Sequence, residues 1–160
     1  MTINGNLHAV KDIMRPPICV HEGDTLEAIL GKMMAERRNS LTVVDDAGKL
    51  VGAVNAIDVI KAVLPDYLED DLVAVRFANE ALLKEDAEKA RLTPVREFMS
   101  TEIPTIEESD GILEAAAMAI QHGRGRITVV DSDHKPVGVI TRTEIKQVIG
   151  SLLGLPGAFE

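Results

Sequence analysis

Two four-residue turns carry the side chains best suited to chemistry. Asn55 and Asp58 form the first turn and Thr141 and Glu144 the second, and the members of each pair lie three residues apart. A hydroxyl or amide at the start of a helix faces the same space as the free backbone amides, which is a natural site for an anion. An acid three positions later can reach a pair of sugar hydroxyls. The same spacing is also that of a plain capping box, so both interpretations stay open.

Arginines flank the second turn. Arg126 precedes it by one strand and Arg142 follows Thr141 directly. Guanidinium groups in these positions could neutralise a phosphate by charge-assisted hydrogen bonds. Arg142 could equally be a solvated helix residue, and the sequence does not decide between the two roles.

Other kinds of site find little support in the sequence. The histidines are scattered, without the spacing that places two on one helix face for a metal. Asp45, Asp46, Asp131 and Asp133 lie in short turns without a following bidentate glutamate, so we expect them to form turns rather than bind calcium. No glycine-rich phosphate loop is present. The sequence therefore predicts no metal site and no catalytic constellation.

The two turns belong to a unit that is written twice. Ser40 to Asp58 and Arg126 to Glu144 both read as strand, turn, strand and helix start, and Gly138 follows Gly52 by 86 residues. The same register holds over five elements, so chance similarity is improbable. Two repeats are too few for a solenoid. We therefore predict an α/β (α+β) fold of two pseudo-symmetric β-α-β-β-α repeats packed as one pair.

The repeats give the domain boundaries. We expect repeat one over 8–64, a connector helix over 65–92, repeat two over 93–149 and a loosely packed tail over 150–160. A short leading turn opens each repeat, Val10 to Met14 and Val95 to Met99. Acidic residues crowd the start of the connector and basic residues its end, an order that complements a helix dipole.

The first long helix of each repeat has a distinct pattern. Asp24 and Glu27 predict a capping box, and Asp110 repeats Asp24. The apolar stripe that follows predicts a buried face and comprises Leu26, Ile29, Leu30, Met33 and Met34. In repeat two the stripe is rich in alanine, which fits either tight packing against the first repeat or a helix face used for self-association.

Composition and charge exclude several functions. Of 160 residues, 46% are hydrophobic, enough for a compact core without metals or disulfides. Aromatic residues are only 2%, which disfavours base stacking, and the net charge of −9 repels nucleic acid and anionic lipid. No apolar run approaches the roughly 20 residues of a membrane span, and no signal peptide is visible, so we expect a cytoplasmic protein. Cys19 is the one cysteine, and its apolar neighbours predict a small core residue.

The ordered set of motifs resembles the cystathionine-β-synthase-type (CBS) domain family. The resemblance runs from VKDIM to DVIKAV and again from VREFM to EIKQVI, over roughly Val10 to Val63 and Val95 to Ile149. It implies a regulatory module rather than an enzyme. Such pairs bind AMP, ADP, ATP or sometimes S-adenosylmethionine in clefts between the repeats, and often form flat homodimers through their helices. Magnesium is implied only with a triphosphate.

The resemblance also assigns residues. The family's ribose-binding acid maps onto Asp58 and Glu144, and its Ser/Thr phosphate contact onto Asn55 and Thr141. The residue before the middle strand maps onto Ser40 and Arg126, and Thr93 lies where some members contact phosphate. The chain departs from the pattern at Asn55, where Ser or Thr is usual, and at Glu144, where Asp is usual. We expect the second repeat, with Arg126, Thr141 and Arg142, to hold the ligand.

Two functions follow as hypotheses. The first is a stand-alone pair that senses an adenosine nucleotide and signals to a regulated partner protein. The second is a structural dimerisation or docking module whose clefts have lost their ligands, which the imperfect turns favour. A nucleic-acid or enzymatic role is disfavoured by the charge and by the missing catalytic groups.

Overall fold

A computed structural model describes residues 9–64, 73, 76, 80–122 and 126–157. Repeat one contains β1 (Cys19–His21), α1 (Leu26–Glu36), β2 (Ser40–Val44), β3 (Leu50–Asn55) and α2 (Ala56–Val63). Repeat two contains β4 (Thr105–Glu107), α4 (Ile112–His122), β5 (Arg126–Val130), β6 (Pro136–Thr141) and α5 (Arg142–Leu152). Between them lies α3 (Glu80–Ala90), and short 3₁₀ turns at Val10–Asp12 and Val95–Glu97 precede the repeats.

Each repeat builds a three-stranded sheet. The strand orders are β1-β2-β3 and β4-β5-β6. The first strand of each sheet runs parallel to the second, with His21 opposite Val44 and Glu107 opposite Val130. The last strand of repeat two pairs antiparallel with β5, and Arg126 lies opposite Thr141. The predicted α/β fold of two β-α-β-β-α repeats is confirmed.

The chain divides into two compact units that exchange their leading turns. The first-repeat unit comprises Cys19–Ala47 and Val51–Thr101, and the second-repeat unit comprises the described residues up to Ile18, Gly48–Leu50 and those from Glu102 onward. The turn at Val10–Asp12 therefore packs with repeat two, where the Val10 amide donates to the Asp110 carbonyl at 2.8 Å. The turn at Val95–Glu97 likewise packs with repeat one.

Both units bury branched aliphatic side chains. In the second-repeat unit the leading turn contributes Val10, which is fully buried against the sheet and helices of repeat two. The rest of that core consists of Ile106, Ile112, Ala115, Ile127, Val129, Ile140 and Val148. Ala119 packs against it, so the alanine stripe of α4 serves tight packing within the unit on this side. Ala117 on the same helix is exposed.

Two glycines let the leading turns approach the sheets. A Cβ atom on Gly52 would lie 2.8 Å from the carbonyl oxygen of Ser100 and 2.6 Å from Met99 Sδ. On Gly138 it would lie 2.7 Å from Met14 Cγ. These separations are too short for non-bonded carbon, so only glycine fits under each methionine. The repeated Met and Gly of the sequence therefore meet in space, each Met covering the Gly of the other repeat.

The predicted cap of α1 was wrong by one residue. The N-cap is Thr25, whose hydroxyl accepts a hydrogen bond from the Ala28 amide at 3.2 Å. The Asp24 carboxylate instead accepts from the His21 amide at 3.0 Å, and Asp110 accepts from the Glu107 amide at 2.9 Å. Both aspartates thus close the tight turn between strand and helix.

The apolar stripe of α1 is only partly buried, contrary to the prediction. Leu26, Ile29 and Met33 are buried, but Leu30 is 42% exposed and Met34 is 70% exposed. The buried residues recur every three or four positions and form one face of this 11-residue helix, while Leu30 and Met34 lie beside that face in solvent.

Cys19 is not the core residue that the sequence predicted. It is exposed, whereas its neighbour Val20 is buried. Successive side chains of a strand point to opposite faces, and Val20 occupies the inward position of β1.

The connector and the tail are described in part. Helix α3 covers Glu80–Ala90, and most of the preceding connector lies outside the described residues. Arg91, directly after α3, pairs with Glu27 of α1, with 2.7 Å between Nη2 and Oε1. At the other end of the chain, α5 continues to Leu152, into the predicted tail.

Candidate functional site

The turn of repeat one is a reciprocal capping box. Asn55 ends β3, and its side-chain oxygen accepts from the Asp58 amide at 3.0 Å. The Asn55 amide in turn donates to Asp58 Oδ2 at 2.9 Å. Among the described residues, the second carboxylate oxygen of Asp58 has no hydrogen-bond partner. This turn therefore has an anionic acceptor left over after the helix has been capped.

The turn of repeat two is also a capping box, but a tighter one. Glu144 Oε2 accepts from the Thr141 amide at 2.7 Å and from the Thr141 hydroxyl at 2.5 Å. The same hydroxyl accepts from the Thr143 amide at 3.2 Å. Glu144 is only 2% exposed, which makes it a buried acid. The capping interpretation therefore holds at both turns.

Arg15 occupies the remaining oxygen of Glu144. Its Nε forms an ion pair with Glu144 Oε1. Arg15 is held in place by two backbone hydrogen bonds with Val139 of β6, at 3.0 and 2.9 Å. A buried carboxylate needs such partners, because an unpaired charge in the interior is costly. Both oxygens of Glu144 are thus engaged within the second-repeat unit.

Sequence analysis missed Arg15, and the reason is the exchange of leading turns. Arg15 directly follows Met14 and precedes its partner by 129 residues, so no local spacing joins it to Glu144. In the first-repeat unit the corresponding position is Ser100, which makes the same pair of backbone bonds with Ala53, at 2.8 and 2.9 Å. A signal was present, since Arg15 and Ser100 each follow the repeated methionine.

The other predicted residues divide between the two units. In the second-repeat unit, Arg126 begins β5 opposite Thr141, and Arg142 is the exposed first residue of α5. The structure therefore brings Arg126, Thr141, Arg142 and Glu144 to one edge of one sheet. Ser40 begins β2 in the other unit, directly after Asn39, whose carbonyl accepts from the Ala56 amide beside Asn55 at 2.8 Å.

The backbone hydrogen bonds of Thr93 are made with residues outside the Asn55–Asp58 turn. Its amide donates to the Ala90 carbonyl at 3.0 Å, and its carbonyl accepts from the Leu26 amide at 2.8 Å. These bonds join the end of α3 to the start of α1.

A surface hollow opens at the opposite end of the second sheet. It has a volume of about 520 Å³, and its lining includes Glu107, Asp110, Asp131 and His134. It lies beyond Val130, whereas the Thr141 turn meets the Arg126 end of β5. Three carboxylates in its wall disfavour an anionic ligand.

Asp45 and Asp131 form turns, as the sequence predicts. Asp45 Oδ1 accepts from the Ala47 amide at 2.9 Å, and Asp131 Oδ1 accepts from the Asp133 and Lys135 amides at 2.9 Å each. Within the described part of the chain, no group of three or more His, Cys, Asp or Glu side chains could hold a metal ion.

Among the described residues, three groups with a shifted pKa lie away from the turns: Glu27, Arg91 and Cys19. The hydrogen bond from Arg91 holds the pKa of Glu27 below its ordinary value. Burial raises the pKa of the Cys19 thiol, so the thiol is a weaker nucleophile at neutral pH than an unperturbed cysteine. Cys19 is thus exposed enough to touch solvent but poorly suited to nucleophilic chemistry.

Comparison with known proteins decides the family. The family model described as the CBS domain matches residues 10–65 and 95–151. The chain belongs to the CBS domain family. A protein of Methanocaldococcus jannaschii, itself uncharacterized, is 26% identical over 93% of this chain and 95% of its own length. A CBS domain-containing protein of Dictyostelium discoideum is 27% identical over 90% of this chain and 92% of its own.

Some relatives are much longer. This CBS chain covers only 23% of an L-aspartate semialdehyde sulfurtransferase of M. jannaschii, to which it is 24% identical. It covers 27% of a second uncharacterized M. jannaschii protein. The matched part is a fraction of these proteins, and the sulfurtransferase activity is a property of the longer enzyme.

Solved structures share the fold. CBSX2 in complex with AMP is 22% identical with a TM-score of 0.69, covering 91% of this chain and 98% of its own. The CBS domain pair of protein MJ0100, in complex with 5-methylthioadenosine and S-adenosyl-L-methionine, is 23% identical with a TM-score of 0.68, covering 92% and 99%. A putative acetoin utilization protein of Vibrio cholerae is 25% identical with a TM-score of 0.70, covering 97% and 99%.

No helix in the described segments is both long enough and apolar enough to cross a bilayer.

Proposed function

We propose that this CBS pair is a regulatory module that binds an adenosine-containing ligand and passes its occupancy to a partner protein. The ligand class is AMP, ADP, ATP or S-adenosylmethionine, with magnesium only beside a triphosphate. Family membership supports the proposal, as do two proteins of the same fold in complex with AMP and with S-adenosylmethionine. The proposal gives the module no catalytic residue.

The observation that carries the proposal is the carboxylate of Asp58. One of its oxygens caps α2, and the other has no hydrogen-bond partner among the described residues. A carboxylate oxygen at a fixed turn is suited to accept hydrogen bonds from a ribose diol. Asn55 fixes the turn by capping α2. Ser40, on the neighbouring strand, and Thr93, in the same unit, are further candidates for ligand contact.

The second turn has weaker support than the sequence suggests. Arg126, Thr141 and Arg142 remain candidates for phosphate contact, because they lie at one edge of the sheet. Glu144, however, is 2% exposed and has both oxygens engaged. We therefore place the ribose at Asp58 and assign Glu144 a structural role.

Calorimetric titration of the full chain with AMP, ADP, ATP and S-adenosylmethionine tests the proposal. Saturable heat is expected from at least one of the four. The absence of heat from all four would leave the structural docking module as the better account of the chain.

That second function rests on exposed apolar side chains, and it is compatible with the first. In the first-repeat unit, α1 and α2 expose Leu30, Met34, Ile57 and Ile60. In the second-repeat unit, α4 and α5 expose Leu113, Ile120, Ile149 and Leu152. Apolar side chains clustered on helices are typical of association surfaces. We propose that these helices bind a second copy of the chain to form a homodimer.

The dimer proposal predicts a change of mass in solution. Ile120 is 83% exposed on α4, so Ile120→Glu leaves the fold intact and places a charge in the proposed interface. Sedimentation velocity should show a dimer for the wild type and a monomer for this variant. Leu92→Glu, at a 73% exposed position outside these helices, is the control and should remain dimeric. A monomeric wild type would contradict the proposal.

A further inference from the structure

The two turns differ at the residue that follows each leading methionine. At the second turn this residue is Arg15, which pairs with Glu144, and at the first turn the corresponding residue is Ser100. We propose that Arg15, by pairing with Glu144, blocks ligand binding at the second turn, so that each chain holds a single adenosine ligand, at Asp58. This inference rests on the proposed function and adds the residue that makes the two repeats unequal.

Both carboxylate oxygens of Glu144 already have partners. Oε1 is taken by Arg15, and Oε2 is taken by the amide and hydroxyl of Thr141. A ribose diol would have to displace one of these partners. Displacing Arg15 would replace a bond between two charged groups with a bond from a neutral hydroxyl to the carboxylate, which is weaker. It would also leave a guanidinium without its counter-charge in a half-buried place.

The backbone of Arg15 is anchored to the second sheet. Its backbone is bonded in both directions to Val139, at 3.0 and 2.9 Å. Met14 beside it lies directly over Gly138, at a position where a Cβ atom would not fit. The guanidinium therefore starts from an anchored backbone and does not have to be ordered before it meets the acid. Such preorganisation favours the intramolecular partner over a ligand that must be ordered on binding.

The first turn supplies the internal comparison. Ser100 makes the same backbone bonds with Ala53, but its short neutral side chain provides no cation for Asp58. Asp58 is half-buried rather than buried, and one of its oxygens has no hydrogen-bond partner in the described residues. Aspartate also carries one methylene less than Glu144. One repeat thus presents an available acid and the other an acid that is already paired.

Native mass spectrometry with AMP counts the ligands on each chain. The wild type should bind one AMP. The double variant Arg15→Ser, Glu144→Asp gives the second turn the side chains of the first and should bind two. Lys11→Ser, an exposed cation of the same leading segment, is the control and should still bind one.

A reverse transplant covers the case in which the double variant does not fold. Ser100→Arg with Asp58→Glu should close the first turn and reduce the count from one to zero, with circular dichroism confirming the fold. Two AMP molecules on the wild type, or one on the folded Arg15→Ser, Glu144→Asp variant, would overturn the role of Arg15. No AMP on the wild type but one on that variant would keep this role and overturn the assignment of the ligand to Asp58. No AMP on either would overturn both.

Discussion

Single residues account for the difference between the two turns. Asp58 and Glu144 occupy matching positions and both cap a helix, yet Glu144 is buried and carries an ion pair while Asp58 does not. The extra methylene of Glu144 and the guanidinium of Arg15 act together. A sequence comparison limited to the turns would rank Glu144 as a near match to the family acid, whereas the structure shows that both of its oxygens already have partners.

The glycines beneath the leading methionines should be intolerant of a side chain. Gly52→Ala should lower the free energy of unfolding by about 1–3 kcal/mol, because the new methyl group would meet the Ser100 carbonyl, which cannot move cheaply. Gly31→Ala is the matched control. Nothing lies within 4 Å of its added Cβ, and alanine is the better helix former by up to about 1 kcal/mol.

Urea denaturation monitored by circular dichroism measures both changes. Gly52→Ala should be less stable than the wild type, and Gly31→Ala should be equally or more stable. A Gly52→Ala variant as stable as the wild type would mean that the Ser100 carbonyl does not lie this close to the strand.

The elements show what the sequence could and could not predict. Strand and helix positions followed from hydrophobic period, and the capping boxes at Asn55 and Thr141 from residue type, because these signals are local. The cap of α1 was misassigned because Asp24 and Thr25 are adjacent and both residue types cap helices. The outward orientation of the Cys19 side chain was not predicted, because a three-residue strand is too short to reveal which of its faces is buried.

An ion pair joins two elements of the first-repeat unit and makes a pH prediction. Arg91 holds the pKa of Glu27 below its ordinary value. A group whose folded pKa is lowered contributes stability above its unfolded pKa, about 4.3 for Glu, and loses that contribution as pH falls through the folded pKa. Glu27→Gln should therefore be less stable than the wild type at pH 7, and the difference should vanish in acid.

Urea titrations from pH 7 down to pH 3 provide the test. Glu114→Gln, an exposed acid of α4, is the control and should show no such convergence with the wild type. Because both members of the Glu27–Arg91 pair are exposed, salt should also reduce the difference at pH 7. A Glu27→Gln difference that persists in acid would show that the pair is not its source.

At the scale of the whole molecule, the exchange of leading turns is the feature that the sequence concealed. The repeats were predicted as 8–64 and 93–149, but each compact unit contains the leading turn of the other repeat. Hydrophobic period identifies an element and not its partner, so the register of 86 residues was visible while the exchange was not. The Arg15–Glu144 pair follows from the exchange, and for this reason the sequence did not reveal that both oxygens of Glu144 have partners within the second-repeat unit.

The most direct test of the account compares the two acids in calorimetric titrations with AMP. Asp58→Asn keeps an oxygen to cap α2 but removes the charge, and AMP affinity should fall about tenfold or more. Glu144→Gln likewise keeps an oxygen for its cap, and AMP affinity should stay at the wild-type value. The reverse pattern, with affinity lost in Glu144→Gln and retained in Asp58→Asn, would contradict the assignment of the adenosine ligand to Asp58.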